Sequence, residues 1–454
     1  MAGPGDILCF SAAGLRRWDG FAADVAAARA RIAGPERVCN LMRDRYVYMV
    51  GLAAALLNGQ AVVLPASTAP RAVEAALDGP GETLVLGGEA APEGSARRIG
   101  ALPDGLAAEP GAGRALRRAL ETAPGEIHVF TSGSTGLPVR HRKRWATLAG
   151  GALVTEAVLA AAGHGAAGAG AQPFAILGST PHQHMYGLEA AVFSGLAFGR
   201  ALHRGTIFYP ADLEAAVADA RAAGLGACVL VTSPAHLRFL EPALAALPEI
   251  RSIISATAPL PLALAERIEA AGTRVFEIYG STETGSLAIR RTAADPLWQP
   301  IAGFTLEQLP EGCRAAAPHL DASVLLGDAV ELAPDGRFRL LGRLGDMVTV
   351  AGKRTSLGTL EAVLAETPGL ADGVVLRQRR DEGDWIGVVA VPQAGQDEAG
   401  LGAAIRRQFR AHLDPVFLPQ RIRFAEALPR GGTGKIPAEA QGALLEALMG
   451  APRG

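Results

Sequence analysis

The chain has few cysteines, and their positions argue against two common roles. Its 454 residues include four, namely Cys9, Cys39, Cys228 and Cys313, and none of them is paired with another at short spacing. This pattern disfavours a zinc site made of paired thiols and provides no disulfide framework. We therefore expect four buried free thiols.

The chain also lacks a strong charge of either sign. Its net charge is -2 at pH 7, and no dense block of lysine or arginine occurs in it. A protein that binds nucleic acid usually carries a basic patch that attracts phosphates. The sequence therefore predicts no nucleic-acid partner.

Long apolar runs and targeting signals are scarce as well. The most apolar candidate for a membrane span, residues 48–66, is interrupted by glycine, asparagine and glutamine, and it favours a helix followed by a strand at 61–64. Residues 1–15 have neither the basic start nor the apolar run of a secretory signal. We expect a cytoplasmic protein with no membrane partner.

A run of hydroxyl and glycine residues is the most informative feature that is present. Residues 126–130 are typical of a strand, and they are followed by Thr131, Ser132, Gly133, Ser134, Thr135 and Gly136. Glycines let backbone N–H groups turn towards an anion and hydroxyls add donors, so the run indicates a phosphate-binding loop. An ordinary exposed loop is the alternative. The run is neither a Walker A motif nor a nucleophile elbow, because it lacks both required residue orders.

Apolar runs alternate with helical patterns between residues 126 and 280. Strands are predicted at 174–177, 227–231, 251–254 and 274–278, and helices near 186–199, 211–223, 234–246 and 260–271. This alternation predicts an α/β fold of mainly parallel, helix-covered sheets, which bind ligands beyond the carboxyl ends of their strands. We expect one cleft to collect the residues at those ends: 179–184, 232–233, 256–258 and 279–283.

A second α/β pattern begins after Asp346. It has strands near 347–350, 373–377 and 386–391, helices near 358–365 and 399–412, and an irregular end that carries Lys435. We expect a large N-terminal domain of residues 1–343, a small mobile C-terminal domain of residues 347–454, and a hinge near 344–346. Segment 88–125 is rich in glycine, alanine and proline, which predicts surface connections.

Three further segments accompany the predicted phosphate loop. Residues 279–285 read Tyr-Gly-Ser-Thr-Glu-Thr-Gly, residues 342–346 read Gly-Arg-Leu-Gly-Asp, and residues 428–436 read Leu-Pro-Arg-Gly-Gly-Thr-Gly-Lys-Ile. In this order the four segments resemble the adenylate-forming superfamily of acyl-CoA synthetases, nonribosomal-peptide adenylation domains and luciferases. The resemblance implies that ATP and Mg²⁺ are used to convert a carboxylic acid into an acyl-adenylate, which then reacts with a thiol.

The resemblance also implies roles in nucleotide binding. The loop from Thr131 to Gly136 would hold the β- and γ-phosphates, and Thr282 would contact the α-phosphate. Glu283 would bind Mg²⁺, a hard cation that takes oxygen ligands. In isolation, Glu283 is more typical of a solvated carboxylate at a helix start than of a metal ligand.

The nucleoside would be held by three kinds of contact in the same comparison. Tyr279 would stack on adenine, and Thr257 and Ala258 would belong to the segment that lines adenine and the acid. Asp328 and Arg343 would bind the ribose hydroxyls. Outside this context, the last two are typical surface or turn residues.

Lys435 and His184 are assigned to the reacting centre by the same resemblance. Lys435 would bridge oxygens of the carboxylate and the α-phosphate, although by itself it is typical of an exposed amine. His184 begins a His-x-x-Gly element between the acyl pocket and the thiol tunnel. His182 lies two residues away, but without Cys or Asp partners the pair is a weak zinc candidate. Residues 351–354 resemble the loop that forms the pantetheine tunnel.

Two positions depart from the family pattern. The loop continues Pro138-Val139-Arg140 where Pro-Lys-Gly is usual, so one of residues 140–143 is left to supply charge near the triphosphate. Residues 256–259, Ala-Thr-Ala-Pro, stand where Gly-Gly-Ala is usual. The part before the phosphate loop is short, which favours a small acid or a carrier-bound acceptor over a long-chain fatty acid.

The leading interpretation is an ATP-dependent ligase that joins a small carboxylic acid to a phosphopantetheine thiol of CoA or of an acyl carrier protein. Residues 181–189 and 141–143 are similar to those of short ligases of aryl polyene-type pathways, which activate aromatic acids. Arg406, Arg407 and Arg410 on a predicted helix offer a basic face for an acidic carrier protein, or an ordinary solvated face. The alternative function is a non-catalytic homologue that binds nucleotide or acyl ligand for regulation.

Overall fold

The chain folds into two compact units. The computed structural model describes residues 7–65, 67, 69–87, 97–132, 138–163, 174–380, 383–429, 436 and 438–450. The first unit comprises Met1–Leu306 and Ala315–Val324, and the second comprises Glu307–Arg314 and Leu325–Gly454. The proposed hinge at 344–346 is a 3₁₀ turn, Leu344–Asp346, within the second unit. The domain boundary drawn there from the sequence stays a prediction.

The described strands of the first unit follow in chain order. They are β1 (Ile7–Ser11), β2 (Gly14–Arg17), β3 (Arg37–Asn40), β4 (Ala61–Leu64), β5 (Thr83–Leu86), β6 (Arg98–Ile99), β7 (Glu126–Ser132), β8 (Pro138–Lys143), β9 (Phe174–Gly178), β10 (Ala201–His203), β11 (Ala227–Thr232), β12 (Ile250–Ser255), β13 (Arg274–Ser281), β14 (Gly285–Arg290) and β15 (Gln299–Pro300).

The described helices of this unit lie between those strands. They are α1 (Trp18–Ile32), α2 (Arg45–Leu57), α3 (Pro70–Leu77), α4 (Ala112–Glu121), α5 (Trp145–Ala161), α6 (Met185–Gly187), α7 (Ser194–Phe198), α8 (Pro210–Ala222), α9 (Pro234–Leu244) and α10 (Leu262–Ala270), with a π-helix at Leu188–Phe193 between α6 and α7.

Two sheets organise the first unit. One has the strand order β6-β5-β3-β4-β7-β8, and the other has the order β15-β14-β13-β12-β11-β9-β10-β1-β2. Strands β9, β11, β12 and β13 pair in parallel, as the alternation of strands and helices predicts. Strand β14 then turns back and pairs antiparallel with β13. The carboxyl ends of the four parallel strands therefore meet at one edge of the larger sheet.

Helices α8, α9 and α10 cover one face of the larger sheet. Each contributes leucines that are buried against the strands, among them Leu213, Leu237 and Leu264, and these pack in one cluster with Leu230 and Ile253. Such burial contributes roughly 1.5–3 kcal/mol for each large aliphatic side chain. This core fixes the strand ends, and with them the loops that follow the strands.

The second unit is smaller and is built from hairpins and one mixed sheet. Where the chain passes between the units, β16 (Thr305–Leu309), β17 (Gly312–Ala316) and β18 (Val324–Leu325) form a three-stranded sheet. The remaining described elements are β19 (Asp328–Leu332), β20 (Phe338–Arg343), β21 (Met347–Val350), β22 (Lys353–Ser356), α11 (Leu357–Ala365), β23 (Leu370–Gln378), β24 (Trp385–Pro392), α12 (Glu398–His412), a 3₁₀ turn at Pro415–Phe417, β25 (Arg421–Phe424) and α13 (Ala438–Gly450).

Two sequence predictions about irregular structure are wrong. Near the end of the chain, residues Ala438–Gly450 form α13, in which Leu448 is buried with Val389 of the mixed sheet. Segment 88–125 contains α4, in which Leu116 and Leu120 lie one turn apart and are buried. In both segments, a few leucines among many alanines and glycines form a narrow apolar stripe that is difficult to recognise in the sequence. Packing of this stripe against the rest of the protein is enough to stabilise a helix.

The predicted free thiols and the predicted division of the apolar stretch into a helix and a strand are confirmed. All four cysteines are buried and free. The apolar stretch at 48–66 divides into α2 and β4, and no described helix is long and apolar enough to cross a membrane.

Candidate functional site

A pocket opens where three strands of the larger sheet end. Its lining comes from the loop after β9 and the π-helix, from the loop after β12, and from the turn between β13 and β14. The lining residues are His184, Met185, Tyr186, Glu189, Ala256, Thr257, Ile278, Gly280, Ser281, Thr282, Gly285 and Ser286. With a volume of about 170 Å³, it is smaller than the roughly 300–1,000 Å³ of pockets for drug-sized ligands.

Arg45 anchors the loop that carries His184. It is fully buried at the start of α2 and donates hydrogen bonds to the carbonyls of Gly178 at 2.7 Å, His203 at 3.1 Å and Thr180 at 3.3 Å. Burial lowers the pKa of the guanidinium to about 10, so it remains charged at neutral pH. No sequence motif marks Arg45, because the carbonyls that it binds are distant in sequence.

Two further hydrogen bonds tie this loop to neighbouring strand ends. The hydroxyls of Ser179 and Thr232 lie 2.7 Å apart, and the Tyr186 hydroxyl donates to the Ile254 carbonyl at 2.7 Å. The loop is therefore held at both ends against β11 and β12, which keeps the pocket wall in place.

The two histidines of the loop have different environments. His184 lines the pocket at the start of α6, where its Nδ1 accepts from the backbone N–H of Tyr186 at 3.4 Å. Partial removal from water lowers its pKa. His182 is buried, lies 2.8 Å from the Met42 carbonyl through Nε2, and packs on Tyr48. Burial, with the charge of Arg45, lowers the His182 pKa to about 4, so its ring is neutral.

Thr282 and Glu283 lie in the turn of a β-hairpin, which corrects the alternative interpretation of a helix start. Strand β13 ends at Ser281 and β14 begins at Gly285. Ser281 and Thr284 close the turn, because each backbone N–H donates to the other side chain, at 3.1 and 3.2 Å. Thr282 contributes to the pocket lining from this turn.

The Glu283 carboxylate suits a hard cation. Its side chain is about half exposed, at 51%. Burial alone would raise its pKa, but the Ser281 hydroxyl and the charges of His141 and Lys143 lower it, so it is ionised at neutral pH. No cluster of three potential ligands occurs among the described residues. A single carboxylate nevertheless fits Mg²⁺, which takes one or two carboxylates and completes its shell with water and phosphate oxygens.

The hairpin of β7 and β8 carries the predicted phosphate loop at its tip. The backbone of Thr131 and Ser132 completes β7, whereas Gly133, Ser134, Thr135 and Gly136 lie outside the described residues. From β8, the Lys143 ammonium donates to the Glu283 carbonyl at 2.8 Å, and His141 Nε2 lies 3.9 Å from Glu283 Oε1. The hairpin and the Glu283 turn are therefore neighbours.

The four basic positions after the loop do not have equal roles. Arg142 points away from the pocket and forms a two-armed ion pair with Glu126, at 3.0 and 2.7 Å. Arg140 is exposed, whereas Lys143 is buried next to the Glu283 turn. Burial lowers the Lys143 pKa. Of these four residues, His141 and Lys143 face the site, as expected for alternate residues of one strand.

Thr257 adopts an unusual backbone conformation at the pocket edge. Its φ is 80°, which falls in the left-handed region that a β-branched residue rarely occupies. Such strain costs of order 1–3 kcal/mol and is concentrated at functional sites. Thr257 lines the pocket, whereas its exposed neighbour Ala258 is not among the lining residues. Tyr279 is half-buried, with its ring 5.7 Å from that of Trp298.

The remaining predicted residues lie in the second unit. Asp328 and Arg343 face each other at the end of the β19–β20 hairpin, with Arg343 Nε 3.1 Å from Asp328 Oδ1. Lys435 lies outside the described residues. The proposed ribose contacts and the proposed role of Lys435 stay predictions.

Glu189 is a buried pocket residue that was not among the site residues predicted from the sequence. It lies on the π-helix, is 1% exposed and lines the pocket. Its Oε2 accepts from both the N–H and the hydroxyl of Ser286, each at 2.8 Å. A signal existed in the sequence, because a glutamate within an otherwise apolar helix pattern must be either exposed or paired.

The sequence is similar to known protein families and to known enzymes. The chain matches the family described as AMP-binding enzyme over residues 122–330 and the AMP-binding enzyme C-terminal domain over residues 359–435. It is 34% identical over 310 residues to a 4-coumarate–CoA ligase of Rhodobacter capsulatus, covering 67% of this chain and 73% of the relative.

Two solved structures share the fold over nearly the whole chain. The o-succinylbenzoate CoA synthetase of Bacillus subtilis, in complex with its acyl-adenylate intermediate, has a TM-score of 0.71 at 17% identity and covers 99% of this chain and 96% of its own. ATP-bound MatB of Rhodopseudomonas palustris has a TM-score of 0.69 at 19% identity, covering 98% and 96%. Both similarities support the α/β fold with a large N-terminal and a smaller C-terminal part.

Proposed function

Because this chain belongs to the family of AMP-binding enzymes, we propose that it activates a small aromatic carboxylic acid with ATP and transfers the acyl group to a phosphopantetheine thiol. Membership makes it an adenylate-forming acid–thiol ligase. The observation that carries the proposal is the pocket at the strand ends, where His184, Thr282 and the Glu283 turn lie beside the hairpin of the predicted phosphate loop.

The first half-reaction must overcome the repulsion between two anions. The acid's carboxylate attacks the α-phosphate and pyrophosphate leaves, which forms the mixed anhydride of the acyl-adenylate. Hydroxyl and backbone donors at Thr131–Gly136 and at Thr282 are proposed to hold the phosphates in line. Glu283 would hold Mg²⁺, which supplies positive charge to the phosphate oxygens. The ionised state and half exposure of Glu283 support this role.

The dimensions of the pocket support a small acid. A volume of about 170 Å³ accommodates a single ring far better than a long acyl chain. The aromatic class also draws on the similarity to 4-coumarate–CoA ligase. We propose ATP and Mg²⁺ as the cofactors and either CoA or an acyl carrier protein as the acceptor.

Pyrophosphate release tests the activity. The protein is incubated with ATP, Mg²⁺ and a panel of aryl and short-chain acids, and we expect release with at least one small aryl acid. Glu283→Gln should reduce the rate by about ten- to a hundredfold, since a charge-assisted contact contributes about 1.5–3 kcal/mol, and should raise the Mg²⁺ concentration required. Glu214→Gln, on the exposed side of α8, is the matched control.

The alternative function makes a different prediction in the same assay. A regulatory homologue would bind ATP or AMP, detected by calorimetry, but would release no pyrophosphate with any acid of the panel. That result with folded protein would contradict the ligase proposal.

Substitutions on helix α12 test whether the acceptor is a carrier protein. Arg406, Arg407 and Arg410 are exposed on this helix, as the sequence predicts. If the acceptor is an acidic carrier protein, exchanging all three for glutamate should raise the apparent KM for the carrier about tenfold, in a salt-dependent manner, because exposed charges act through a screened field. Adenylation and transfer to CoA serve as internal controls and should not change. Equal loss with both acceptors, or no loss at all, would contradict a carrier-docking face.

A further inference from the structure

Glu189 brings a buried carboxyl group into a pocket that is proposed to bind an anion. One of its oxygens is satisfied by Ser286, whereas Oε1 has no hydrogen-bond partner in the part of the chain that the structure describes. A buried acceptor without a donor costs about 1–3 kcal/mol, and a charged one costs more. A side chain with this cost, on the wall of the pocket, suggests that the missing donor arrives with a ligand.

Two glycines leave room for the free oxygen. A Cβ atom at Gly151, in the middle of α5, or at Gly285, at the start of β14, would overlap Oε1 of Glu189. Glycine inside a helix is less stable than alanine by about 0.5–1 kcal/mol. Gly151 therefore makes helix α5 less stable than alanine would, but it leaves the space that the Glu189 carboxyl group occupies.

Lys143 supports the ionised form of Glu189 without occupying the free oxygen. Its ammonium is near enough to oppose the effect of burial, which raises the pKa of Glu189 to about 7. The hydrogen bond of Lys143 goes instead to the Glu283 carbonyl, at 2.8 Å. The carboxyl group thus has a neighbouring positive charge, and its buried Oε1 still has no donor among the described residues.

We propose that Oε1 of Glu189 accepts a hydrogen bond from a hydroxyl group of the acid substrate, and that Glu189 thereby selects acids that carry a hydroxyl remote from the carboxyl group. The inference rests on the proposed function. The substrate's own carboxylate would be repelled by Glu189, so the opposite end of the acid must meet it. An acid with only hydrocarbon at that end leaves Oε1 buried without a donor, and such sites discriminate strongly against the analogue.

Matched pairs of acids test the proposal. Each pair differs in one group: 4-hydroxybenzoic against benzoic acid, and 4-hydroxycinnamic against cinnamic and 4-methoxycinnamic acid. We expect the unmodified protein to prefer a hydroxylated acid by about ten- to a hundredfold in kcat/KM for pyrophosphate release, the factor that corresponds to a charge-assisted hydrogen bond. Equal rates for the two members of all three pairs would overturn the proposal while leaving the ligase function intact.

Two variants assign the preference to Glu189. Glu189→Leu should abolish it. In Glu189→Gln, the amide oxygen accepts from Ser286, so the NH₂ group faces the ligand. Because this group is a donor, kcat/KM for the methoxy acid should rise relative to kcat/KM for the hydroxy acid. Glu277→Gln is the matched control, because Glu277 is 3% exposed in the same unit but does not line the pocket. A preference that survives in Glu189→Leu contradicts the assignment.

A binding measurement tests the proposal even if the Glu189 variants fold poorly. Gly151→Ala keeps the carboxylate but pushes against Oε1, so it should reduce the stabilisation of the protein by 4-hydroxycinnamic acid plus AMP in thermal unfolding. Gly150→Ala is the neighbouring control, because a Cβ there would overlap His319 instead. Equal effects of the two alanines on hydroxylated and plain acids would count against Glu189. If no acid of the panel supports pyrophosphate release, the proposed function fails first.

Discussion

Replacing Lys435 with alanine should lower acyl-adenylate formation by about a hundredfold or more. The proposed reaction brings a carboxylate to a phosphate, and an amine that bridges their oxygens stabilises the charge that develops between them. Because this contact belongs to the first half-reaction, thioester formation from chemically prepared acyl-adenylate should remain near normal. The two half-reactions are measured separately, as pyrophosphate release and as thioester produced.

Lys353→Ala provides the matched lysine control. Lys353 lies in the same unit and pairs with Asp414, and it belongs to the segment that resembles the pantetheine tunnel, so its loss should leave pyrophosphate release unchanged. Near-normal release in Lys435→Ala, or equal losses in both variants, would contradict the role of Lys435.

Replacing Arg45 with methionine should destabilise the first unit by at least about 2 kcal/mol. The change would remove the Arg45 donor from the buried carbonyls of Thr180 and His203, and each such loss costs about 1–3 kcal/mol. The Gly178 carbonyl would lose one donor but would keep the backbone N–H of Ile207, at 3.1 Å. We expect a lower urea midpoint for the first unit, followed by tryptophan fluorescence. Since the same loop carries His184, pyrophosphate release should also fall in protein that is still folded.

The control for this change is Arg142→Met. Arg142 is an exposed arginine that pairs with Glu126 on the surface of the β7–β8 hairpin. Exposed pairs contribute little to stability, so its urea midpoint should stay close to that of the unmodified protein. If Arg45→Met and Arg142→Met lower the urea midpoint equally, the buried hydrogen bonds of Arg45 are not what holds the loop in place.

The order of elements was largely predictable from the sequence. Strands β9, β11, β12 and β13 were visible as short apolar runs, and helices α8, α9 and α10 as amphipathic stretches between them. Right-handed crossover rules then place the strand ends together. The same rules could not foresee that β14 turns back, because hairpin formation after Ser281 depends on side-chain closure by Thr284.

The site was predictable where local motifs carry it and unpredictable where it depends on tertiary packing. Thr282, Glu283 and His184 were identified from short segments, and the structure places Thr282 and His184 in one pocket. Glu189 and Arg45 belong to no recognised motif, and although the apolar neighbours of Glu189 indicate that it is either exposed or paired, the sequence does not show which. Their burial follows from distant partners: Ser286 for Glu189 and a set of carbonyls for Arg45.

The buried cysteines have a consequence for an enzyme that handles activated acyl groups. An acyl-adenylate reacts with any accessible thiolate, and a thiolate of the enzyme itself would divert the product into self-acylation. Burial raises the pKa of both Cys39 and Cys228 to about 12, and it also raises the pKa of Cys9 and Cys313. All four sulfurs are thus enclosed and protonated at neutral pH, so the acyl group is reserved for the incoming acceptor.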